Sequence, residues 1–459
     1  RGARPSHVRL TRRSGRRLTS AAFWETHVDE QRPADMVLNA HPDRAAVVAE
    51  IHNRPPPELS APARVTHLAL LSGREAAATE RRLLQEICAG YSALPPSDEA
   101  LYHVARLGDL ELRWERHTEF STYLFVREGP FAEPFAEPAI KLFATRWLER
   151  LPGELIAANH VAVLAQDAPA PDRETLAQLF EGHHLLSGRV RDESIRLWTS
   201  LRVHADGFGR ILVQDGGYDR PRLGRFVQRV LELETYRLMA LLGLTQTRRL
   251  GPVVDAMEER LVELTVGMRD IDDSRAEREL LDQLSALAAE HARVAADSAY
   301  RFGATRAYGE LVSERLGRLR LERNDDMEIL GSFLARRFEP AMRTCRAFET
   351  RMEELSVRVG RVADLLRTRV DLDVQEQNQR LLTSMDHRAR LQLRLQQTVE
   401  GLSVAAVSYY IVSLWSYLLK LGAPALGDTG VALGTGIAVP IVVGAVWLGV
   451  RRLRARLGH

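Results

Sequence analysis

The sequence predicts a mixed α+β or α/β cytosolic domain, then long helices, then a C-terminal two-helix transmembrane hairpin, and three observations predict it. Residues 36–220 hold most of the prolines and the period-two apolar patterns of strands. From Pro252 to Pro340 there are 87 residues without a proline, and from Pro340 to Pro424 another 83, both stretches rich in Leu, Arg, Glu and Ala. Gly401 to Leu419 and Thr429 to Val450 are uncharged apolar runs of 19 and 22 residues, each long enough to cross a bilayer core of roughly 30 Å as a helix.

The first part resolves into elements in order. Strands are expected at Arg64–Leu71, Leu101–Leu107, Leu110–Arg116 and Phe120–Arg127, with an amphipathic helix at Glu75–Gly90 between the first two. A helix at Glu137–Arg150, a strand at Ile156–Ala165 and a helix at Arg173–Phe180 follow. Strands near Leu185–Val190, Ile195–His204 and Gly209–Val213 close the domain, the last pair turning at Ala205-Asp206-Gly207. Residues 221–400 read as a long-helix and stalk region. Leu355, Val359, Val362, Leu366, Val370 and Val374 form one apolar stripe there, which needs a partner either folded back within the chain or from a neighbouring subunit. If residues 341 to about 421 form one helix, it runs on the order of 120 Å, of which about 30 Å lies in lipid.

Buried core helices rarely stay uncharged for two such runs in succession, and the flanks favour the membrane. Tyr409, Tyr410, Trp415, Tyr417 and Trp447 supply interfacial aromatics. Arg380, Arg388, Arg390 and Arg394 precede the first run, and Arg451, Arg452, Arg454 and Arg456 follow the second. This pattern predicts an inner-membrane protein with both termini cytoplasmic, Leu421 to Asp428 on the far side and residues 451–459 as a basic cytosolic tail. The first 20 residues carry seven arginines and no acid. They read equally as an organellar transit peptide or a disordered tail, and residues 1–35 are assigned no fold. No apolar segment follows them, which excludes a secretory signal.

Composition narrows the function further. A net charge of +2 over 459 residues implies no dedicated nucleic-acid partner. Cys88 and Cys345 are isolated, as expected in a reducing cytosol and not in a cysteine-ligated zinc site. There is no GxxxxGK[ST] loop, no GxGxxG after a strand, no GxSxG and no HExxH. No enzyme is expected.

Two soluble constellations carry chemistry. On a strand through Glu111 to Phe120, alternation sets Arg113, Glu115, His117 and Glu119 on one face and Leu112, Trp114 and Phe120 on the other. Glu115, His117 and Glu119 are chemically able to hold a divalent metal, though a solvated sheet face with cross-strand ion pairs gives the same row and is favoured by sequence alone. The second constellation is His41, Glu50, His52, Asn53 and Arg54, ahead of Pro55-Pro56-Pro57. The prolines stiffen that segment, so it reads either as a ligand-binding set held at fixed positions or as a helix end leading into a connector. His183 and His184 are an adjacent pair whose side chains diverge on a strand.

Three segments carry a family resemblance: HPDRAAVVAEIHNRPPPELSAPARVTHLALL (His41 to Leu71), ELRWERHTEFSTY (Glu111 to Tyr123) and RTRVDLDVQEQNQRLLTSMDHRARLQLRLQQTVEGLSVAAVSYYIV (Arg367 to Val412). They resemble a bacterial family of membrane-anchored proteins known only as domain of unknown function 3422, which imports no activity. The order of elements also looks like the plan of the CorA divalent-cation channels, although Tyr417 to Gly422 stands where that family has Gly-Met-Asn. The CorA likeness implies a homo-oligomer around the first membrane helix, with Glu400 at the inner end, Lys420 at the outer mouth and Asp428 in the loop. A ring of Lys420 opposes divalent cations, unless it snorkels toward headgroups. The sequence therefore reads as a membrane-anchored, oligomeric protein whose cytosolic domain binds or senses a ligand through a helical stalk, with an oligomeric channel as the alternative.

Overall fold

The computed structural model describes residues 41–44, 47–48, 55–191, 194–269, 274–324, 326–421 and 423–457. The chain divides into two compact units, Arg1–Leu238 with Leu311–Ala335, and Met239–Glu310 with Arg336–His459.

The first unit is a mixed sheet. Its strands are β1 (Ala63–Leu71), β2 (Tyr102–Leu107), β3 (Leu110–Arg116), β4 (Phe120–Glu128), β5 (Glu154–Leu164), β6 (Leu186–Val190), β7 (Arg196–Val203), β8 (Gly209–Gln214), β9 (Leu321–Glu322) and β10 (Glu328–Ile329). The order is β10-β6-β7-β8-β5-β1-β4-β3-β2, with β9 also on β6. Each half thus repeats one plan: a first strand, a helix, then a three-strand meander whose last strand returns beside the first. The halves join where β1 pairs antiparallel with β5. They differ in sense, because β4 returns antiparallel to β1 whereas β8 returns parallel to β5.

Helix α1 (Ala77–Gly90) covers one face of the first half. Its Leu83, Leu84, Ile87 and Cys88 meet Leu68, Leu70, Leu112, Trp114, Tyr123 and Phe125 in one core. The alternation that sends Leu112 and Trp114 inward leaves Arg113 and Glu115 for the opposite face. Inside this core Glu80 has no exposure. It accepts from Arg116 Nη1 at 2.7 Å, Ser121 Oγ at 2.7 Å and Trp114 Nε1 at 3.2 Å. A buried carboxylate is tolerated only when its partners are this complete, and removing one member of such a pair costs about 3–5 kcal/mol.

The helix expected at Glu137–Arg150 is instead a 3₁₀ turn at Ala139–Leu142 and the short α2 (Thr145–Leu148). Phe143 and Ala144 between them are extended, which lets Ile140, Phe143 and Trp147 all reach the core beneath α1. In the second half, α3 (Arg173–Leu179) is capped by Asp172, whose side chain accepts from Thr175 N at 2.8 Å.

Three long helices follow: α4 (Arg220–Gly267), α5 (Ser274–Leu319) and α6 (Leu330–Leu421). In the second unit they share a core in which Val254, Met257, Leu261 and Leu264 of α4 meet Leu284, Leu287, Val294 and Phe302 of α5, and Phe348, Met352, Leu355 and Val359 of α6. The apolar stripe of α6 is therefore partnered within the chain from Leu355 to Leu366, and that part of it makes no demand for a neighbouring subunit. Val374 is exposed, as is every residue from 374 to 399.

The last helix, α7, spans Ala423–Leu457. The connection expected at Leu421–Asp428 is thus shorter, because Pro424 sits in the first turn of α7, where no intrahelical N–H is required of it. Helices α6 and α7 each contain a stretch long and apolar enough to cross a membrane, and almost nothing of either stretch is buried.

Candidate functional site

A cleft lies between the open face of β1–β4 and the first turns of α4, enclosing about 580 Å³, part of it open to solvent. Strand register builds its floor. Glu115 pairs with Tyr102 on β2 and with Thr122 on β4. Leu124 pairs with Arg113 on one side and His67 on the other. All these residues line the cleft. The wall comes from Gln228, Leu231, Glu232, Thr235 and Tyr236, whose spacing of three and four places them on one face of α4.

Arg113 organises one end. Its Nη2 donates to Pro55 O at 2.6 Å and contacts the Tyr102 hydroxyl, while Nη1 donates to Glu111 Oε1 at 3.1 Å. The guanidinium also lies over the Tyr102 ring, 5.6 Å from its centroid. Pro55 and Pro57 thereby become part of the cleft wall. Burial, opposed by the neighbouring Arg113 charge, pushes the Tyr102 hydroxyl up to about 12, so it stays protonated.

At the other end, His117 Nε2 stands 3.8 Å from Glu115 Oε1, and the imidazole stacks on Phe120 with centroids 4.3 Å apart. His67 is buried, and desolvation lowers it to about 4, so its ring is neutral at physiological pH. Across the cleft Glu232 accepts from Arg315 Nε at 2.5 Å and Gln228 Nε2 at 2.9 Å. Arg113 is matched by Glu111 and Glu232 by Arg315, and Glu115 stands beside His117.

The Glu115, His117 and Glu119 row requires a correction. Strand β3 ends at Arg116 and β4 begins at Phe120, with His117 N donating to Phe120 O at 2.8 Å across the turn. The alternation stops there, and Glu119 is buried in the turn, outside the residues that line the cleft. Glu115 and His117 remain together. Phe120, expected on the opposite face, joins them because the turn resets the phase.

Of the proline-flanking set, His41 lies in an exposed turn, with Nδ1 accepting from Asp43 N at 3.1 Å. Glu50, His52, Asn53 and Arg54 fall outside the described residues. Glu400 and Lys420 both lie on α6, separated by roughly 30 Å of helix rise. Asp428 is helical in α7 rather than in a loop. His183 and His184 diverge, His184 Nε2 meeting Glu328 Oε2 at 3.1 Å.

The α4 wall was missed by sequence reasoning because it follows the strands by more than a hundred residues. Its one signal is the mixed polar and apolar set at 228, 231, 232, 235 and 236, which marks a helix face turned toward a polar cleft rather than a core.

The chain belongs to the family described as protein of unknown function (DUF3422), which matches residues 39–457. No curated protein matches it.

Proposed function

We propose that the protein is an inner-membrane-anchored binding protein. Helices α6 and α7 insert as a hairpin with both termini cytosolic, and the β1–β4 cleft takes a small ligand. The observation that carries this reading is the exposure of the apolar side chains on every side of both helices. Leu402, Leu414, Leu433 and Ile441 are all about two-thirds exposed or more. Each such side chain gains about 1.5–3 kcal/mol when removed from water, and an aqueous setting forfeits that for two stretches of helix. The carboxylates of Glu115 and Glu232 and the hydroxyls of Tyr102, Thr122 and Thr235 that line the cleft favour a ligand bearing a positive charge or several hydrogen-bond donors. Helix α4 carries five lining residues of the cleft and continues unbroken to Gly267, which supplies a covalent route from ligand to stalk.

Self-association completes the proposal. Leu381, Met385, Leu395, Val399 and Leu402 fall on one seam at spacings of four and three, with Arg388 and Gln392 at its polar positions. A strand of a homo-oligomeric coiled coil has this pattern. A second reading, an oligomeric ion channel, is supported by the continuity of α6 from its soluble part into the first apolar stretch, with Glu400 and Lys420 near the ends of that stretch.

Membrane fractionation with an alkaline carbonate wash tests the anchoring, and a cytosol-dependent fluorescent reporter after His459 tests the orientation. A protein released by the wash, or a dark reporter, overturns the respective half. Reconstituted vesicles carrying a magnesium-sensitive dye separate the two readings: the binding protein gives no flux, and strong flux favours the channel.

A further inference from the structure

The turn after α3 meets the far end of β7 in the second half of the sheet. Glu181 and Gly182 follow α3 with φ of +54° and +72°. On β7 the ladder to β8 loses register between Thr199 and Val203, where Leu201 has φ of +51°. This bulge and the turn at Asp206-Gly207 set His204 against the α3 turn. One ligand atom from each of Glu181, His183 and His204 then lies within 4.8 Å of the others.

His204 is the telling member. Its side chain is fully buried, and Nδ1 sits 3.3 Å from Glu181 Oε2, outside the angular range of an ordinary N–H hydrogen bond. Two ligands on a tetrahedral ion at about 2.0–2.1 Å stand about 3.3–3.4 Å apart, which matches this separation. The other ring nitrogen, Nε2, lies 3.0 Å from Ser200 Oγ. With Nε2–H donated to Ser200, Nδ1 turns a lone pair toward a carboxylate oxygen, an opposition that a shared cation relieves. Metal-bound histidines are held in this way, the free ring N–H given to a fixed acceptor. The carboxylate is fixed as well: Arg210 Nη2 holds Glu181 Oε1 at 2.9 Å, and Ala205 N donates to Oε2 at 3.2 Å. Arg210 shares its charge with Asp206 at 3.1 Å, so two carboxylates and one guanidinium leave one net negative charge near the ion.

We infer that Glu181 Oε2, His183 and His204 Nδ1 bind one divalent transition-metal ion of the zinc class, with a further coordination position open to solvent beside the exposed Glu181. Two imidazoles and one carboxylate suit a borderline ion rather than magnesium or calcium, and three protein ligands leave room for water or a small ligand on the metal. The line Ser200–His204–Glu181 also has the order of a nucleophile, a base and an acid. Ser200, however, is buried and its Oγ takes the Arg202 N–H at 3.3 Å, and in the tautomer that leaves Nδ1 for the metal it accepts from His204 Nε2–H.

The test uses the full chain in detergent, stripped with a chelator and titrated with zinc(II), or with cobalt(II) as a coloured substitute. The expected result is one ion per chain and an intense visible cobalt spectrum of low coordination number. Glu181→Gln and His183→Ala, at accessible positions, each weaken binding on the order of a hundredfold, and Ser200→Ala weakens it by about tenfold or more through loss of the acceptor on Nε2. His117→Ala leaves binding unchanged. Circular dichroism identical to the parent shows that each variant is folded. No stoichiometric binding by the parent, binding unchanged in His183→Ala, or binding lost in folded His117→Ala overturns the assignment.

Discussion

Two stretches of α6 differ in the arrangement of their apolar residues and have opposite fates. From Met342 to Leu366 one face is apolar: Met342, Cys345, Phe348, Met352, Leu355, Val359 and Leu366 are buried, while Val357 and Leu365 lie off that face and are exposed. Arg351 on the flank of that face bonds Asp255 at 2.5 Å and Glu258 at 2.6 Å, tying α6 to α4 beside the core. From Gly401 to Leu418 the apolar residues surround the helix, and most of them stay exposed. A stripe can be covered by two neighbouring helices, whereas a helix apolar on all sides needs a solvent that is itself apolar. The pattern of apolar residues around the helix, together with their number, separates the buried stretch from the exposed one.

The largest effect that sharpens this contrast is removal of residues 401–457. The full chain is expected in the membrane pellet after a carbonate wash, and the truncated chain in the supernatant. If the truncated chain remains in the pellet, the apolar stretch is not what holds the protein there.

Next come substitutions at matched leucines. Leu355→Ala in the buried stretch is expected to cost about 2–5 kcal/mol in denaturant unfolding, since it leaves a cavity among α4, α5 and α6. Leu382→Ala, on the exposed stretch and outside the seam, is expected within about 0.5 kcal/mol of the parent. Equal losses at the two sites would break the contrast.

Much of the sheet was legible because period-two alternation survives wherever one face is buried: β3 falls at the expected residues, and β1, β2 and β4 to β8 lie within a few residues of their expected limits, whereas the two-residue β9 and β10 fall in the region read as helical. The signal failed where tertiary packing or a tight turn took over. Phe143 is drawn into the core and breaks one expected helix into two turns, and the His117–Glu119 turn ends the alternation that set Glu115, His117 and Glu119 on one face. The cleft was half legible. Tyr102, Glu115 and Thr122 are close in sequence and joined by hairpins, while Glu232 and Tyr236 arrive from a helix whose approach no local pattern records. The Glu181, His183 and His204 cluster was hidden for another reason, because left-handed residues and a bulge aim its side chains and neither has a reliable sequence signature.

A smaller effect concerns the seam between the two stretches. Leu395→Asp is expected to lower the mass of the detergent-solubilised protein from oligomer toward monomer without removing it from the membrane. A parent that is already monomeric would rule out self-association through this seam. The smallest effect is at the cleft: Glu115→Gln should weaken binding of a small organic cation by roughly tenfold, about 1.4 kcal/mol, in calorimetry, with the unfolding midpoint little changed. Unaltered affinity would move the ligand away from Glu115.

Whether lipid surrounds the second stretch of α6 is tested most directly by the solvent accessibility of single cysteines. Cys88 and Cys345 are buried, so cysteines introduced at Thr383, Val407 and Val443 dominate labelling by a membrane-impermeant maleimide in inside-out vesicles. The expected result is prompt labelling at Thr383→Cys and none at Val407→Cys or Val443→Cys until the bilayer is dissolved and the chain denatured. Labelling of Val407→Cys and Val443→Cys as fast as Thr383→Cys in intact vesicles would contradict it.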